Sequence, residues 1–275
     1  MLIAQITDLH LRPRGLPAYR VSETNMLSER AIDALIALRP RPDVVVISGD
    51  MTDCGLESEY QILKSLLQRL PMPVYMVPGN HDRRETLKRV FADWPSVATD
   101  PDFVQFVVED FPVRLIGLDT LIPGESAGEL CERRLDFLRG ALAADRSRPA
   151  VVVMHHPPFD CGIVHMDRIR LLRGGEELAG IVREHGRVER ILCGHHHRPI
   201  ETLFGGTIAS IAPGVAHQVA FDLGEEHEGA LVFEPPAFRL HCWRAEWGIV
   251  SHTVYVERFP GPFPFVLDPA YPGQA

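Results

Sequence analysis

The sequence lacks two features that would place it in common functional classes. No apolar run approaches the roughly 18 residues that a membrane span needs, so we expect no membrane partner. Basic residues are not in excess, because the formal net charge is -9. Proteins that wrap nucleic-acid backbone need a basic surface, so this charge argues against binding to duplex nucleic acid.

Paired cysteines are also missing. The five cysteines are scattered along the chain without a Cys-x-x-Cys pair, and their number is odd. The first residues enter an apolar strand directly, without the basic start and long apolar core of a secretory signal. This usage predicts reduced thiols and a cytoplasmic protein.

The composition is that of ordinary globular proteins, 45% hydrophobic and 24% charged over 275 residues. This length allows one large domain, with or without a small appendage. Early in the chain, β-branched strands alternate with helical patterns, which predicts a mainly parallel sheet. The predicted strands cover 2–7, 43–48 and 73–78, and the predicted helices cover 22–38 and the region of 63–70.

The rest of the chain changes character at Arg198. Before it, we predict a hairpin over 103–118, helices over 130–142 and 177–185, and buried strands over 150–154 and 188–193. After it, short strands separated by Gly, Pro and acidic turns predict antiparallel β structure. The acidic stretch 222–229 predicts a surface loop, and the Pro-rich tail from Phe259 predicts an irregular end.

Polar side chains that can bind metal follow the carboxyl ends of the predicted strands. In open α/β sheets this is the edge where ligands bind. In an extended segment, residues two apart point to one side, so Asp8 and His10 can share a ligand, as can His195 and His197. The full set of candidates is Asp8, His10, Asp50, Asn80, His81, one of His155 and His156, His195 and His197.

This mixture of imidazoles and carboxylates suits Zn, Fe, Mn or Co. The candidates are too many for one ion, and one central carboxylate could bridge two ions about 3.5–4 Å apart. A two-metal site holds both the attacking and the leaving oxygen of an in-line displacement, and it lowers the pKa of a bound water. Hydrolysis of a phosphoric ester uses both effects.

These motifs, in this order, resemble the five blocks of the calcineurin-like metallophosphoesterase superfamily over most of residues 1–198. More closely, the chain resembles the bacterial class III cyclic-nucleotide phosphodiesterases and glycerophosphodiesterases, through His155-His156-Pro157-Pro158, Met166-Asp167 and Pro213-Gly214…His217-Gln218. The resemblance implies an α/β fold, a four-layer α/β/β/α sandwich with a small β-rich cap. The implied catalytic domain covers 1–199 and 256–275, and the implied cap, used in dimerisation, covers 200–255.

The resemblance also implies a binuclear centre of two divalent or trivalent ions, with Fe, Mn, Zn or Co as candidates. One ion takes Asp8, His10, Asp50 and His197, and the other takes Asp50, Asn80, His156 and His195. Asp50 bridges them, and the resemblance alone selects His156 over His155. His81 would lie beside the phosphate, to stabilise charge or protonate the leaving group, and His217 would reach the substrate from the cap.

Two departures from sister families favour a diester substrate. Cys54 stands where the Ser/Thr phosphatases have an Arg that holds a phosphomonoester dianion, and Asp53 stands where purple acid phosphatases have a Tyr ligand. Two divalent ions, two carboxylates and one hydroxide sum to roughly +1, which suits a monoanionic diester.

We therefore predict a phosphodiesterase that attacks small phosphodiesters, such as cyclic nucleotides or glycerophosphodiesters, with a metal-bound hydroxide. We expect it to form a homodimer or a larger homo-oligomer. One alternative is a phosphomonoesterase or nucleotide pyrophosphatase of the same superfamily. The other is a non-catalytic scaffold, which all seven metal-ligand positions argue against, because such scaffolds lose ligands.

Overall fold

The computed structural model describes residues 1–94, 96–224 and 228–265. The strands that position the site are β1 (Leu2–Ile6), β2 (Val44–Ser48), β3 (Val74–Val77), β4 (Phe106–Val108), β5 (Arg114–Gly117), β6 (Gly128–Glu129), β7 (Ala150–Val153), β8 (Leu171–Arg173), β9 (Val188–Cys193), β10 (Ile200–Phe204), β11 (Thr207–Ile211), β12 (Gln218–Val219), β13 (Leu231–Val232), β14 (Ala237–Arg244) and β15 (Gly248–Tyr255). The helices are α1 (Thr24–Ala37), α2 (Glu57–Leu67), α3 (Arg84–Val90), α4 (Glu132–Ala143), α5 (Val164–Asp167) and α6 (Gly175–His185).

Most of these strands form two mixed sheets. The first has the order β15-β14-β1-β2-β3, in which β1, β2 and β3 are parallel and the β14-β15 hairpin is antiparallel to β1. The second has the order β10-β11-β9-β7-β5-β4, with a parallel centre and an antiparallel strand at each edge. The two parallel centres therefore supply the strand ends that carry the motifs.

The side-chain alternation of the strands builds four layers. Val44 and Val46 of β2 pack with Val151 of β7, between the two sheets. Val45 and Ile47 face the other way and pack against α1 and α2. The outer face of the second sheet packs against α4 and α6. The predicted four-layer α/β/β/α sandwich is confirmed, and the uninterrupted β-branched run of β2 is explained by burial on both faces.

The segment after residue 198 forms antiparallel hairpins, as predicted, but β11 also pairs with β9 in parallel, and most of the segment contributes to the sandwich. The hairpins β10-β11 and β14-β15 extend the second and the first sheet, respectively. Within 200–255, only the β12-β13 pair lies outside both sheets among the described residues. The division into a catalytic domain and a cap stays a prediction.

Three smaller regions also bear on the predictions. The stretch 162–175 contains α5 and β8, and β8 pairs with β6. Residues 225–227 of the acidic stretch and the tail beyond 265 lie outside the described residues. None of the helices in the described ranges combines the length and hydropathy that crossing a membrane requires.

Candidate metal centre

The predicted metal ligands lie where the parallel strands of the two sheets end. Asp8 and His10 follow β1, Asp50 follows β2, Asn80 follows β3, His155 and His156 follow β7, and His195 and His197 follow β9. Both sheets point these ends to the same edge of the sandwich. Six of the seven predicted ligands are 5% exposed or less: Asp8, His10, Asp50, His156, His195 and His197.

Five of these six residues adopt the left-handed backbone conformation that non-glycine residues rarely adopt. Their φ angles are 55° for Asp8, 46° for His10, 47° for Asp50, 72° for His195 and 51° for His197. The prediction that each motif projects from an extended segment is wrong, because β1 and β9 end two residues before their motifs. Tight turns aim these side chains, and such strain of about 1–3 kcal/mol per residue clusters at functional sites.

Backbone carbonyl groups orient two of the imidazole rings. A carbonyl oxygen only accepts, so the ring nitrogen facing it carries a proton and the other nitrogen is available for a ligand. His197 Nδ1 donates to the His217 carbonyl at 2.8 Å, which leaves Nε2 toward the site. His195 Nε2 donates to the Ile169 carbonyl at 3.0 Å, which leaves Nδ1. Metal-binding histidines are typically held in this way.

His155 shows the same arrangement. Its Nδ1 donates to the Ser48 carbonyl at 2.7 Å. Its Nε2 lies 3.3 Å from Asp50 Oδ2 and 3.2 Å from Asn80 Oδ1, in contact with two other predicted ligands. Burial would lower the pKa of His155, but the Asp50 carboxylate raises it to about 9. The proton that Nε2 then carries faces the position where a cation would be bound.

His156 is held differently. Its Nδ1 lies 2.7 Å from Thr120 Oγ1, and its Nε2 lies 3.2 Å from the Ser126 carbonyl. The carbonyl requires a proton on Nε2, so Nδ1 accepts from the Thr120 hydroxyl in the neutral ring. Burial holds the pKa of His156 well below its usual range, which keeps the ring neutral. Both ring nitrogens thus have partners outside the predicted ligand set, although one of them lies within 4.8 Å of nitrogens of His155 and His195.

The carboxylate of Asp50 lies between two groups of imidazoles. Its Oδ1 accepts the backbone N–H of His81 at 2.9 Å. Its Oδ2 lies 3.3 Å from His155 Nε2 and 3.8 Å from His10 Nε2. Burial would raise the pKa of Asp50, but the imidazoles, His155 first, hold it well below its usual range. The central carboxylate is ionised, as a metal ligand must be.

Asp8 is the second buried carboxylate of the cluster. Its Oδ1 lies 3.2 Å from His197 Nε2, and that nitrogen lies 3.2 Å from His10 Nε2. Burial would raise the pKa of Asp8, but His197 lowers it below its usual value. The converging nitrogen and carboxylate atoms fit a divalent transition metal. Ligand atoms of Asp8, His10 and Asp50 lie within 4.8 Å of one another, as do those of His155, His156 and His195.

A cavity of about 290 Å³ opens above this cluster. His81 and His217 both line it, together with five of the predicted ligands: His10, Asp50, Asn80, His195 and His197. Its outer wall is largely apolar and comes from three separate segments: Tyr19, Met166, Ile169, Val219 and Leu231. Asp8 and His156 are not among the lining residues, but ligand atoms of Asp8 lie within 4.8 Å of those of His10 and Asp50, and a nitrogen of His156 lies within 4.8 Å of one of His195.

The two predicted catalytic histidines are held by the backbone and by a hydroxyl group. His81 Nδ1 donates to the Asp53 carbonyl at 2.8 Å, which points Nε2 away from that turn. Burial would lower the pKa of His81, but Asp50 raises it above its usual value. His217 Nδ1 lies 3.3 Å from Ser22 Oγ, and burial together with neighbouring imidazoles lowers the pKa of His217 to about 2.

Residues 1–199 match the sequence profile of the calcineurin-like phosphoesterases. The chain belongs to this family. This calcineurin-like phosphoesterase is 39% identical over 267 residues to a probable glycerophosphodiester phosphodiesterase of Arcobacter nitrofigilis, which covers 96% of this chain and 97% of that protein. It is 39% identical over 245 residues to a probable cyclic nucleotide phosphodiesterase of Rhodopseudomonas palustris, with 86% of each chain covered.

A dimetal phosphatase from Danio rerio has a similar structure, with a TM-score of 0.64 at 16% identity over 94% of this chain and 99% of that one. At this identity the likeness supports the fold alone. The predicted family of the phosphoesterase is confirmed by its profile and its relatives. Family and cluster together identify a site for divalent metal ions.

Sequence reasoning missed Tyr19 and Ser126 as lining residues of this phosphoesterase pocket. Tyr19 lies in a short turn closed by the Ala18–Ser22 bridge, where Tyr19 and Arg20 have φ angles of 49° and 65°. Its ring lies edge-on to that of His217, with centroids 5.4 Å apart. No periodic pattern signals a turn of this kind, since both residues adopt a conformation that favours glycine.

Proposed function

We propose that this chain is a phosphodiesterase that hydrolyses small phosphodiesters at a centre of two divalent or trivalent transition metal ions. The observation that carries the proposal is the position of Asp50, whose carboxylate lies between His10 on one side and His155 on the other. A shared carboxylate is what a two-metal site requires. Its relatives named as phosphodiesterases for glycerophosphodiesters and cyclic nucleotides support the same reaction class.

The proposed ligand set differs from the sequence-based prediction in one residue. His155 replaces His156, because the Nε2 atom of His155 meets Asp50 and Asn80 whereas both nitrogens of His156 are engaged elsewhere. The ion on one side is held by Asp8, His10, Asp50 and His197, and the ion on the other side by Asp50, Asn80, His155 and His195. Fe, Mn, Zn and Co all suit these donors.

When bound, the ions polarise the phosphoryl group and lower the pKa of a coordinated water. The chain supplies the proton transfer. With Nδ1 held by the Asp53 carbonyl, His81 presents Nε2 to the pocket. Burial would lower the pKa of His81, but Asp50 raises it above its usual value, which favours the protonated ring; in the proposed reaction this ring gives its proton to the leaving alcohol oxygen.

His217 acts as a neutral donor. In the proposed arrangement the Ser22 hydroxyl donates to Nδ1 of His217, so that the neutral ring keeps its proton on Nε2. This N–H binds a phosphate oxygen, as an oxyanion donor does. The His217 carbonyl has a second task, since it accepts from Nδ1 of the ligand His197 at 2.8 Å.

The size and charge of the site favour a small diester. The cavity of about 290 Å³ is lined by Tyr19, Met166 and Leu231 as well as by the histidines, and its volume suits a small ester. The net charge of -9 also disfavours long nucleic acid. A cyclic nucleotide or a glycerophosphodiester presents a single negative charge to the centre and needs no extended surface.

A substrate panel at matched metal loading tests this function. The panel contains 2′,3′- and 3′,5′-cyclic nucleotides, glycerophosphodiesters, nucleotide sugars, phosphomonoesters and long duplex DNA, each with metal-loaded and chelator-stripped protein. We expect turnover of at least one class of small diester that depends on metal. Preferential cleavage of monoesters or pyrophosphates would replace the proposal with its alternative, and metal binding without any turnover would indicate a scaffold.

We also propose that the phosphodiesterase is a homodimer or a larger homo-oligomer. Phe221 and Phe233, in the β-rich segment, are 64% and 58% exposed, which is unusual for aromatic side chains of an isolated subunit. Light scattering at several protein concentrations tests this, and a single-subunit mass at all of them would contradict it. A cytoplasmic location stays a prediction from the unpaired cysteines.

A further inference from the structure

A buried glutamine joins the two sheets directly beneath the metal centre. Gln5 lies in β1 and is 0% exposed. Its side chain contacts Ser48, the last residue of β2 in the first sheet, and Cys193, the last residue of β9 in the second sheet. Apolar side chains such as Val46 and Leu192 pack in the layer between the sheets. A polar group in this layer calls for an explanation.

The surrounding groups fix the orientation of the amide. The Cys193 carbonyl only accepts, so Gln5 Nε2 faces it, at 2.9 Å, and donates a second bond to Ser48 Oγ at 2.8 Å. Gln5 Oε1 then accepts from His241 Nε2 at 3.0 Å. His241 Nδ1 lies 2.7 Å from Ser251 Oγ, and burial keeps the pKa of His241 well below its usual range. Each polar atom of the amide therefore has a partner.

The two strand ends that the Gln5 amide contacts each lie two residues before a proposed ligand. Asp50 comes two residues after Ser48, and His195 comes two residues after Cys193. The Ser48 carbonyl also accepts from Nδ1 of His155 at 2.7 Å. The Gln5 amide is thus linked through the backbone to three ligand residues. Asp50 follows a strand of the first sheet, whereas His155 and His195 follow strands of the second.

The backbone turns of the two sheets are also in close contact at this level. At Gly194, a Cβ atom would lie 2.1 Å from Thr7 Oγ1 and 2.9 Å from Asp8 Oδ2. Real Cβ atoms do not approach so closely, so the turn of the second sheet lies directly on the turn that carries Asp8. A change of a few tenths of an ångström in the separation of the sheets would move ligands relative to one another.

We propose that Gln5 is a positioning residue for the metal centre, whose amide sets the separation between the carboxyl ends of β2 and β9. Apolar packing holds the sheets together but is not directional, whereas hydrogen bonds of 2.8–2.9 Å to both strand ends define one distance. The inference rests on the metal centre of the proposed function. His241 and Ser251 support the amide and have no contact with the ligands of their own in the described structure.

The test compares Gln5→Met with Ser210→Ala. Methionine keeps the length of the side chain and removes the hydrogen bonds. Ser210 is equally buried, and its hydroxyl bonds the Ile191 carbonyl within the second sheet, so its removal reports the general effect of losing a buried bond there. Ser48→Ala is the milder variant, because it removes one bond of the amide and keeps the carbonyl that holds His155.

Three quantities are measured on full-length protein: the affinity for Co²⁺ by chelator competition, the visible spectrum of the Co²⁺ form, and thermal unfolding of the metal-free form. We expect Gln5→Met to weaken Co²⁺ binding about 10–100-fold and to shift the Co²⁺ bands, as loss of groups that support metal ligands does. Ser48→Ala should shift both in the same direction by a smaller factor. Ser210→Ala should leave Co²⁺ affinity and spectrum as in the natural protein.

The outcomes separate this inference from the function on which it rests. If Gln5→Met and Ser48→Ala keep the natural affinity and spectrum and only unfold at lower temperature, Gln5 is structural and the inference is overturned. An equal loss of affinity in Ser210→Ala overturns it as well. If Gln5→Met does not fold, Ser48→Ala decides by the same two readouts. If the natural protein binds no Co²⁺ at all, the proposed function fails.

Discussion

Replacing His155 and His156 one at a time gives the sharpest test of the proposed centre. The two side chains are adjacent, and both are 0% exposed, so either loss leaves a buried cavity of similar size. Only the contacts differ: His155 Nε2 meets Asp50 at 3.3 Å and Asn80 at 3.2 Å, whereas His156 bonds Thr120 at 2.7 Å. An effect on metal binding that follows one variant alone therefore identifies the ligand.

The expected magnitude follows from those contacts. Losing a group that merely supports a ligand weakens metal binding about 10–100-fold. His155→Ala removes a proposed ligand itself, so the ion it shares with Asn80 should bind more than about 100-fold less tightly, a change above about 2.7 kcal/mol. His156→Ala should weaken the same ion by a smaller factor, because its ring nitrogens bond Thr120 and Ser126 and its ring only packs against those of His155 and His195.

The assay is elemental analysis after dialysis against a graded chelator, with thermal unfolding of the metal-free proteins as the control for folding. We expect one ion in His155→Ala, held by Asp8, His10, Asp50 and His197, under conditions that leave two in His156→Ala. Both variants should lose comparable stability without metal, since both leave a cavity. The reverse result, with two ions in His155→Ala and one in His156→Ala, would refute the choice of His155 from the partners of its ring nitrogens. It would favour His156, the ligand that the resemblance implies.

Four further substitutions test the remaining roles. Asp50→Ala should lose both ions, because it removes the only shared ligand, and natural metal content by elemental analysis would contradict bridging. Asn80→Asp should bind the more labile ion more tightly in chelator titrations, since a carboxylate is a stronger ligand than an amide; equal loss of both ions from the natural protein would argue otherwise. His81→Ala should slow diester turnover about 10²–10³-fold with metal content unchanged. His217→Ala should slow it less, also with both ions present, and turnover equal to the natural enzyme on every diester would remove it from the site.

The strands and their motif-bearing ends were predictable from the sequence because they depend on local patterns. The β-branched run of β2 and the Gly-Asp that follows it predict a buried strand with a ligand at its end, and the structure has β2 at Val44–Ser48 with Asp50 beyond. The strand β9 coincides with its prediction, 188–193. Hydrophobic periodicity determines such elements without reference to the rest of the chain.

Features that depend on distant contacts were not predictable in the same way. The choice between His155 and His156 depends on the carbonyl groups of Ser48 and Ser126, which lie far away in sequence. Likewise, β14 pairs with β1 across more than 230 residues, with Leu2 opposite Cys242, so the last hairpin extends the first sheet. Periodicity identifies strands, but their pairing order depends on the packing of the whole domain.

Unfavourable backbone conformations and buried charges occur together at the candidate metal centre, and the proposed metal ions account for both. Five ligand residues are left-handed, at about 1–3 kcal/mol each, and this sum is comparable with the total stability of a typical domain. Two ionised carboxylates, Asp8 and Asp50, are buried beside them. Binding that favours only the folded state offsets such costs, because it adds its own free energy to folding. The strain and the buried charge therefore have one physical cause, the need to hold oxygen and nitrogen donors around cations at the junction of two sheets.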